Sequence, residues 1–344
     1  MPIAIGLDVA KHVFQVHGVD VTGNPVLRKR LRRSELSRFF AALEPCIVGI
    51  EACGSGHYWA RELRRFGHDV RLMPPQYVRP YVKTNKHDAA DAEAICEAVQ
   101  RPSMRFVPIK EADQQAALML HRSRELLVRQ RTMLANAVRS HSAEFGLVVP
   151  KGIHRIPELR SIIASADPDI LPELAKSVLL TLATQIEAIN IRILGLEQQL
   201  VAWHRASAAS QRLASIPGIG PITATAIVAT VADPQRFTSA RQFAAWIGLV
   251  PKQHSSGARE RLGGISKRGD GYLRRLLVHG ARAVIRWQRR LNARPLPWLS
   301  GLLGRRHVNV AAAALANKNA RIAWALLKRE ETYMPARQVH SAAR

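Results

Sequence analysis

Acidic side chains are in short supply in this chain. Its 344 residues carry 26 Asp and Glu against 51 Lys and Arg, a formal net charge of +25 at pH 7. Such an imbalance bears on partners rather than on fold. It points to a polyanion, with nucleic acid the commonest and an anionic membrane surface the rival. Long hydrophobic runs are lacking as well: no uninterrupted apolar stretch reaches the ~18 residues of a membrane span. Asp8 and Lys11 interrupt the apolar N-terminus, which argues against a signal peptide. Only three cysteines occur, Cys46, Cys53 and Cys96. They are odd in number and lack metal-ligand spacing, and reduced thiols in a cytoplasm are the simplest reading. No glycine-rich phosphate loop follows the opening "IGLD", which argues against an ATP-dependent sugar kinase. What is plentiful is apolar content, 47%, so the basic charge does not belong to a disordered tail.

The length suits two or three domains. Residues 1–108 read as a mixed α/β domain. "IAIGLDVAKHVFQVHGVDVTGNPVLRKRLR" alternates apolar and polar residues and turns at "TGN", which predicts strands over 3–9, 12–19 and 25–32. A helix capped by Ser34 follows, then a strand over 46–52, a helix over 56–67 closed by Gly67 and a strand over 68–74. Residues 109–207 read as an all-α linker. Leu179, Leu182, Ile186, Ile189, Ile193, Leu196, Leu200 and Trp203 alternate steps of three and four, the seam of a coiled coil. Two helices of one chain packed antiparallel and a dimerisation arm both satisfy it.

Residues 208–335 read as a mainly α domain, with 336–344 a disordered tail. "LASIPGIGPITATAIVATV" has the form of a helix-hairpin-helix, whose Gly218–Ile219–Gly220 turn would aim backbone N–H groups at a phosphate. The plain alternative is a tight interhelical turn without a ligand. Residues 251–290 then hold eleven Lys and Arg against Glu260 and Asp270. That is lopsided for a merely solvated face and suits phosphate contacts, with Lys252, Arg259, Arg261, Lys267, Arg268, Arg274 and Arg275 the candidates.

Against this basic background Asp88, Asp91 and Glu93 crowd into "NKHDAADAEAI". Asp88 and Asp91 lie three apart on a helix and so share a face, while Glu93 falls on another. Asp8 ends the first strand and Glu51 the fourth. If those strands are neighbours, four carboxylates converge from different elements and suit two divalent cations, Mg²⁺ or Mn²⁺. Each acid alone has an ordinary explanation as a turn residue or helix cap; the joint arrangement carries the functional reading. Lys83 and Lys86 beside it would suit an approaching phosphate.

These acids and their order resemble the ribonuclease-H-like fold of RuvC-type Holliday-junction resolvases. More of the chain resembles the DEDD transposases of bacterial insertion sequences. The matching stretches are "IGLDVAKHVFQVH", "GIEACGSGHYWARELRRFGHDVRLMPP", "KTNKHDAADAEAI", "IPGIGPITATAIVA", "AAWIGLVPKQHSSGARERLGGISKRGDGYLRRLLVHGARA" and "ANKNARIAWALL". The resemblance implies that Asp8, Glu51, Asp88 and Asp91 bind Mg²⁺ and that a serine before a glycine attacks DNA, here Ser256, with Ser255 adjacent. It also implies a non-coding bridge RNA, donor and target DNA duplexes, and a homo-oligomer. A serine hydroxyl needs a base or a metal to activate it; His254 and the metal both qualify, and the metal is favoured. The alternatives are a junction endonuclease using metal-activated water, which needs the acids but not Ser256, and a nucleic-acid-binding protein without catalysis.

Overall fold

The computed structural model describes residues 1–83, 88–254, 261–291 and 296–334. Lys86, Ser255, Ser256 and Arg259 lie outside them, as does the tail predicted over 336–344. Two compact units divide the chain, residues 1–114 and 115–344.

The first unit is built on the alternating segments. Strands β1 (Ala4–Val9), β2 (Val13–Val19) and β3 (Pro25–Arg32) form a meander, with Gly23 in the left-handed region (φ 84°) at the second turn. Helix α1 (Leu36–Ala41), strand β4 (Ile47–Glu51), helix α2 (Gly56–Arg65) and strand β5 (Asp69–Met73) follow. The sheet order is β3-β2-β1-β4-β5, with β2 antiparallel to both neighbours and β1, β4 and β5 mutually parallel. The short helix α3 (Pro75–Val78) and helix α4 (Asp88–Val99) complete the layer. Ser34 does not cap α1. That place falls to Glu35, whose carboxylate instead accepts from Arg32 N at 2.7 Å.

Strand alternation sorts the core into two faces. Ile5, Leu7, Val48 and Ile50 point to one side, where they meet Phe40, Trp59 and Leu63 of α1 and α2. Ala4 packs on the other side with Ile95, Ala98 and Val99 of α4. Cys46 and Cys96 are buried, and burial pushes both thiols up to about 11, so they stay protonated.

The second unit is helical apart from one hairpin. Its helices are α5 (Ala112–Ala143, starting just inside the first unit), α6 (Ile156–Ser165), α7 (Glu173–Ala206), α8 (Ala208–Ala214), α9 (Pro221–Thr230) and α10 (Ala240–Ile247). Strands β6 (Pro251–Gln253) and β7 (Leu262–Ile265) form the hairpin, followed by α11 (Gly271–Leu291), α12 (Pro297–Leu303) and α13 (Val308–Arg329). The apolar seam of α7 is taken up within the chain: Leu179, Ile186, Ile189, Ile193 and Leu200 are buried. Leu179 and Ile186 join a core with Val138 of α5 and Leu159 of α6. Arg124–Glu197 at 2.6 Å and Arg131–Asn190 at 2.8 Å tie α5 to α7 in antiparallel register. By length and mean hydropathy α7 would also pass for a membrane-crossing helix, a composition the expectation of no such span overlooked; Glu187 and Glu197 on it are both ion-paired.

Candidate active site

The acids of the first unit are placed by two glycines. A Cβ on Gly6 would lie 2.1 Å from the carbonyl oxygen of Ala92 and 2.4 Å from the nitrogen of Cys96. One on Gly49 would lie 2.8 Å from Val99. Helix α4 therefore rests directly on β1 and β4 at their glycines. Cys96 Sγ also donates to Ala4 O at 3.5 Å, so the helix runs opposite to β1 and its N-terminus lies over the strand's C-terminal end. Two residues beyond each glycine, on the same face, come Asp8 and Glu51. Leu7 pairs with Ile50, which sets Asp8 and Glu51 next to each other across parallel strands. One turn before Ala92 stands Asp88, with Asp91 at its side, in the first turn of α4. Asp8 and Glu51 thus lie side by side at the ends of the parallel strands, and Asp88 and Asp91 lie in the first turn of the helix that packs on those strands. Asp8, Glu51 and Asp91 are half-buried and Asp88 is exposed.

Among the described residues no three acid, histidine or cysteine side chains stand close enough to cage a metal ion. The donor set suits Mg²⁺ in kind, since that cation takes hard oxygens, keeps several waters and is commonly held by one or two carboxylates together with substrate phosphate.

Beside the acids lies a cavity of about 320 Å³. Gln15 and His17 form its floor, Arg28 and Arg30 of β3 one wall, and Ala89, Ala92 and Glu93 of α4 the other. Register explains the grouping: Asp8 faces Gln15, which faces Arg30, while Gly6 faces His17, which faces Arg28. Burial holds the His17 imidazole below its ordinary pKa, with the Glu93 carboxylate pulling the other way. Glu93 pairs with Lys83, whose Nζ lies 2.7 Å from its Oε1 and holds the carboxyl below the usual range.

In the second unit the turn after α8 serves packing. Gly218 has φ 91°, and a Cβ on Gly280 of α11 would meet Gly218 O at 1.8 Å, so the two backbones touch. A Cβ on Gly220 would meet nothing. In the hairpin, His254 N donates to Arg261 O at 2.9 Å; Ser255 and Ser256 lie between these two residues in sequence. Lys252, Arg261, Lys267 and Arg268 are exposed. Arg274 Nη1 donates to Ile247 O at 2.8 Å, and Arg275 pairs with Glu125, so these two arginines brace helices.

Comparison with known proteins decides what this arrangement belongs to. A family model described as "Transposase IS116/IS110/IS902 family" matches residues 210–294, and a second, of DEDD transposases, matches 5–145. A "Probable family 20 transposase" of Pseudomonas aeruginosa is 54% identical over 332 residues, 96% of this chain and 98% of that protein. The "Transposase for insertion sequence element IS1111A" of Coxiella burnetii is 44% identical, covering 96% of this chain and 90% of the relative. That for element IS1328 of Yersinia enterocolitica is 43% identical, with 93% and 95% covered. This chain belongs to the IS116/IS110/IS902 transposase family.

The transposase carries residues near its acids that the sequence did not single out, namely Gln15, His17, Arg28 and Arg30. Their signal was present, because every second residue from Arg28 on β3 shares the Asp8 face once the meander's register is drawn.

Proposed function

We propose that this transposase cuts and rejoins DNA with two sets of residues. The carboxylates of Asp8, Glu51, Asp88 and Asp91 hold Mg²⁺ (Mn²⁺ serves equally in donor chemistry), and Ser256 is the nucleophile. The observation that supports the reading is that Asp8 and Glu51 are neighbours at the strand ends, with the helix that carries Asp88 and Asp91 packed on the same strands at Gly6 and Gly49. The sheet order, with its antiparallel meander followed by parallel strands, supports a ribonuclease-H-like reading of the first unit. Bound Mg²⁺ supplies charge stabilisation at the attacking and leaving oxygens of the phosphodiester. Asp8 and Glu51, fixed by the sheet, set where that charge sits; Asp91 orients from the helix. Ser256 Oγ forms a bond to phosphorus as the phosphorus–deoxyribose oxygen bond breaks, the serine proton passing by way of solvent to the departing deoxyribose oxygen, and the phosphoserine link keeps the ester for rejoining. Exposed Lys252, Arg261 and Lys267 hold phosphates without reading bases, and Arg259 and Lys86 add to the same charge. A bridge RNA pairing with donor and target DNA, a homo-oligomer and a cytoplasmic location complete the proposal; the charge of +25 suits both polyanions.

The test is strand cleavage on donor and target DNA with the RNA that co-purifies with the protein, using Ser256→Ala and Asp8→Asn. Both variants are expected to lose cleavage, and only the serine variant to lose the covalent protein–DNA adduct while Mg²⁺ still binds. Full cleavage by Ser256→Ala would leave a hydrolytic junction endonuclease in its place.

A further inference from the structure

The second unit holds a groove of which only Lys267, at one edge, has been given a role. It measures about 1150 Å³ and runs between hairpin β6–β7, helix α11 and helices α12 and α13. Its floor is apolar, with Ile265, Val278 and Ile322. Its rim is cationic: Lys267, Arg282, Lys318 and Arg321 all line it and all are exposed. Its described lining contains no acid, and among the described residues none of the four cations pairs with a carboxylate. Neutral groups hold two of them in place. Arg282 Nη2 donates to Asn309 Oδ1 at 2.9 Å, and Lys318 Nζ lies 4.6 Å from the ring centroid of Trp298, itself exposed at the groove wall.

A second observation concerns β7. Gly263 and Gly264 both line the groove, in a strand where glycine weakens pairing. Neither has a left-handed φ. A Cβ on Gly264 would meet nothing within 4 Å, and one on Gly263 would meet only Lys252, at 3.8 Å or beyond. Pairing with β6 is irregular at this point, since both glycines stand opposite Lys252 in a bulge, and strand glycine marks either a bulge or a place where another chain comes close; with no side chain above it, the backbone there is left open to a ligand.

We propose that this groove binds an unpaired stretch of nucleic acid. The four cations take its phosphates, a base lies against the Trp298 indole and apolar floor, and the strand passes close over the bare backbone at Gly263–Gly264. Duplex is the poorer fit, because an aromatic wall and apolar floor gain only from base faces that are not already stacked within a helix. The inference rests on the transposase reading, which supplies the nucleic acid, but not on the carboxylates or on Ser256.

The experiment uses the full chain and fluorescein-labelled dT and rU 12-mers, followed by anisotropy over a salt series. Wild type and Asp8→Asn should bind alike. Arg282→Gln with Arg321→Gln should weaken binding about tenfold and lower the salt slope by about 0.7 for each phosphate no longer neutralised. Trp298→Ala should weaken binding about tenfold because a base can no longer stack there. Gly264→Val should weaken it while leaving the melting temperature in place. An oligonucleotide bearing 5-iodouracil should cross-link to the peptide containing Trp298, and a 12-base-pair duplex should compete poorly. Tighter binding of dT or of rU identifies displaced DNA or RNA as the occupant, and both agree with the groove. Wild-type affinity in the arginine pair and in Trp298→Ala, equal competition by duplex, or cross-links only outside the groove would overturn it. Normal cleavage by Asp8→Asn would sink the catalytic reading and leave the groove standing.

Discussion

Gly6 and Gly264 both sit in strands, and they serve opposite ends. A side chain at Gly6 has no room, because the backbone of α4 lies against the strand. A side chain at Gly264 has nothing but room. The first glycine builds the protein's interior and thereby fixes Asp8 two residues on. The second leaves a surface bare. The two units differ in the same way. The first places its acids by sheet register and helix contact, the rigid support that charge chemistry requires. The second spreads its cations over exposed helix faces and a hairpin, where a long polyanion can be met at many points.

The largest effect expected from breaking this contrast is on chemistry. Asp8→Asn keeps the shape of the residue and removes its charge, and cleavage should fall by about a thousandfold or more, as for loss of a preorganised charge-stabilising group. Nucleic-acid binding should hold, since the change makes a cationic chain slightly more so. Cleavage within tenfold of wild type would remove Asp8 from the site.

Next comes a pair of substitutions at the glycines themselves. Gly6→Ala drives a methyl into Ala92 O and Cys96 N, and should cost about 3 kcal/mol in the first unit through overpacking. Cleavage should fall with it, because α4 carries Asp88 and Asp91. Gly264→Ala should change stability by less than about 0.5 kcal/mol, the ordinary range for a surface site. Thermal melts of both variants, followed by near-ultraviolet circular dichroism, separate the two. Equal melts would erase the distinction between a packed and an open glycine.

The same contrast explains what was legible in the sequence. The meander showed itself because each strand alternates, and the observed Ala4–Val9, Val13–Val19 and Pro25–Arg32 lie within one residue of the predicted ranges. Asp8 and Glu51 could be paired only on the condition that the first and fourth strands are neighbours, which the sheet order meets. Their common face was also written down, in "IGLD" and "VGIE", where a glycine precedes each acid by two residues; the repeat carries meaning only once a helix is known to lie there. The groove was not legible. Gly264, Arg282, Trp298 and Arg321 come from four elements whose packing no local pattern encodes. Nor was the bond between His121 and Tyr272, which are 151 residues apart. The cap assigned to Ser34 failed because the helix starts one residue later than expected, which puts Glu35 at the cap position, where no side chain bonds the first-turn N–H groups.

His121 gives a third prediction, now on pH. It is buried in the second unit, with Nδ1 3.0 Å from Tyr272 Oη and Nε2 3.1 Å from Thr225 Oγ1. Burial lowers its pKa from 6.5 to about 4, with Arg124 adding to the effect. The unfolded chain takes up this proton near pH 6.5 and the folded chain only near pH 4. Stability is therefore full above pH 6.5 and declines as pH falls toward 4, by up to about 3 kcal/mol from this residue. His121→Gln should flatten that part of the profile, measured as melting temperature from pH 7 to 4. An unchanged slope would place the pH dependence elsewhere.

The smallest effect is expected at the ion pair beside the acids. Lys83 and Glu93 meet at 2.7 Å with the lysine side chain 80% exposed. A pair so open contributes at most about 0.5–1 kcal/mol, less as salt rises. Glu93→Gln should thus barely move the melting temperature. It should, however, release a cation next to Asp88 and Asp91. If Lys83 turns to the phosphate once Glu93 no longer holds it, DNA binding should tighten by a few-fold at low salt and the gain should vanish near 0.5 M. Binding that weakens instead would mean that Glu93 positions the lysine rather than competing for it. Lys83→Gln then decides the matter: it removes the gain in the double variant if the cation meets DNA, and leaves it intact if the benefit comes only from deleting a negative charge.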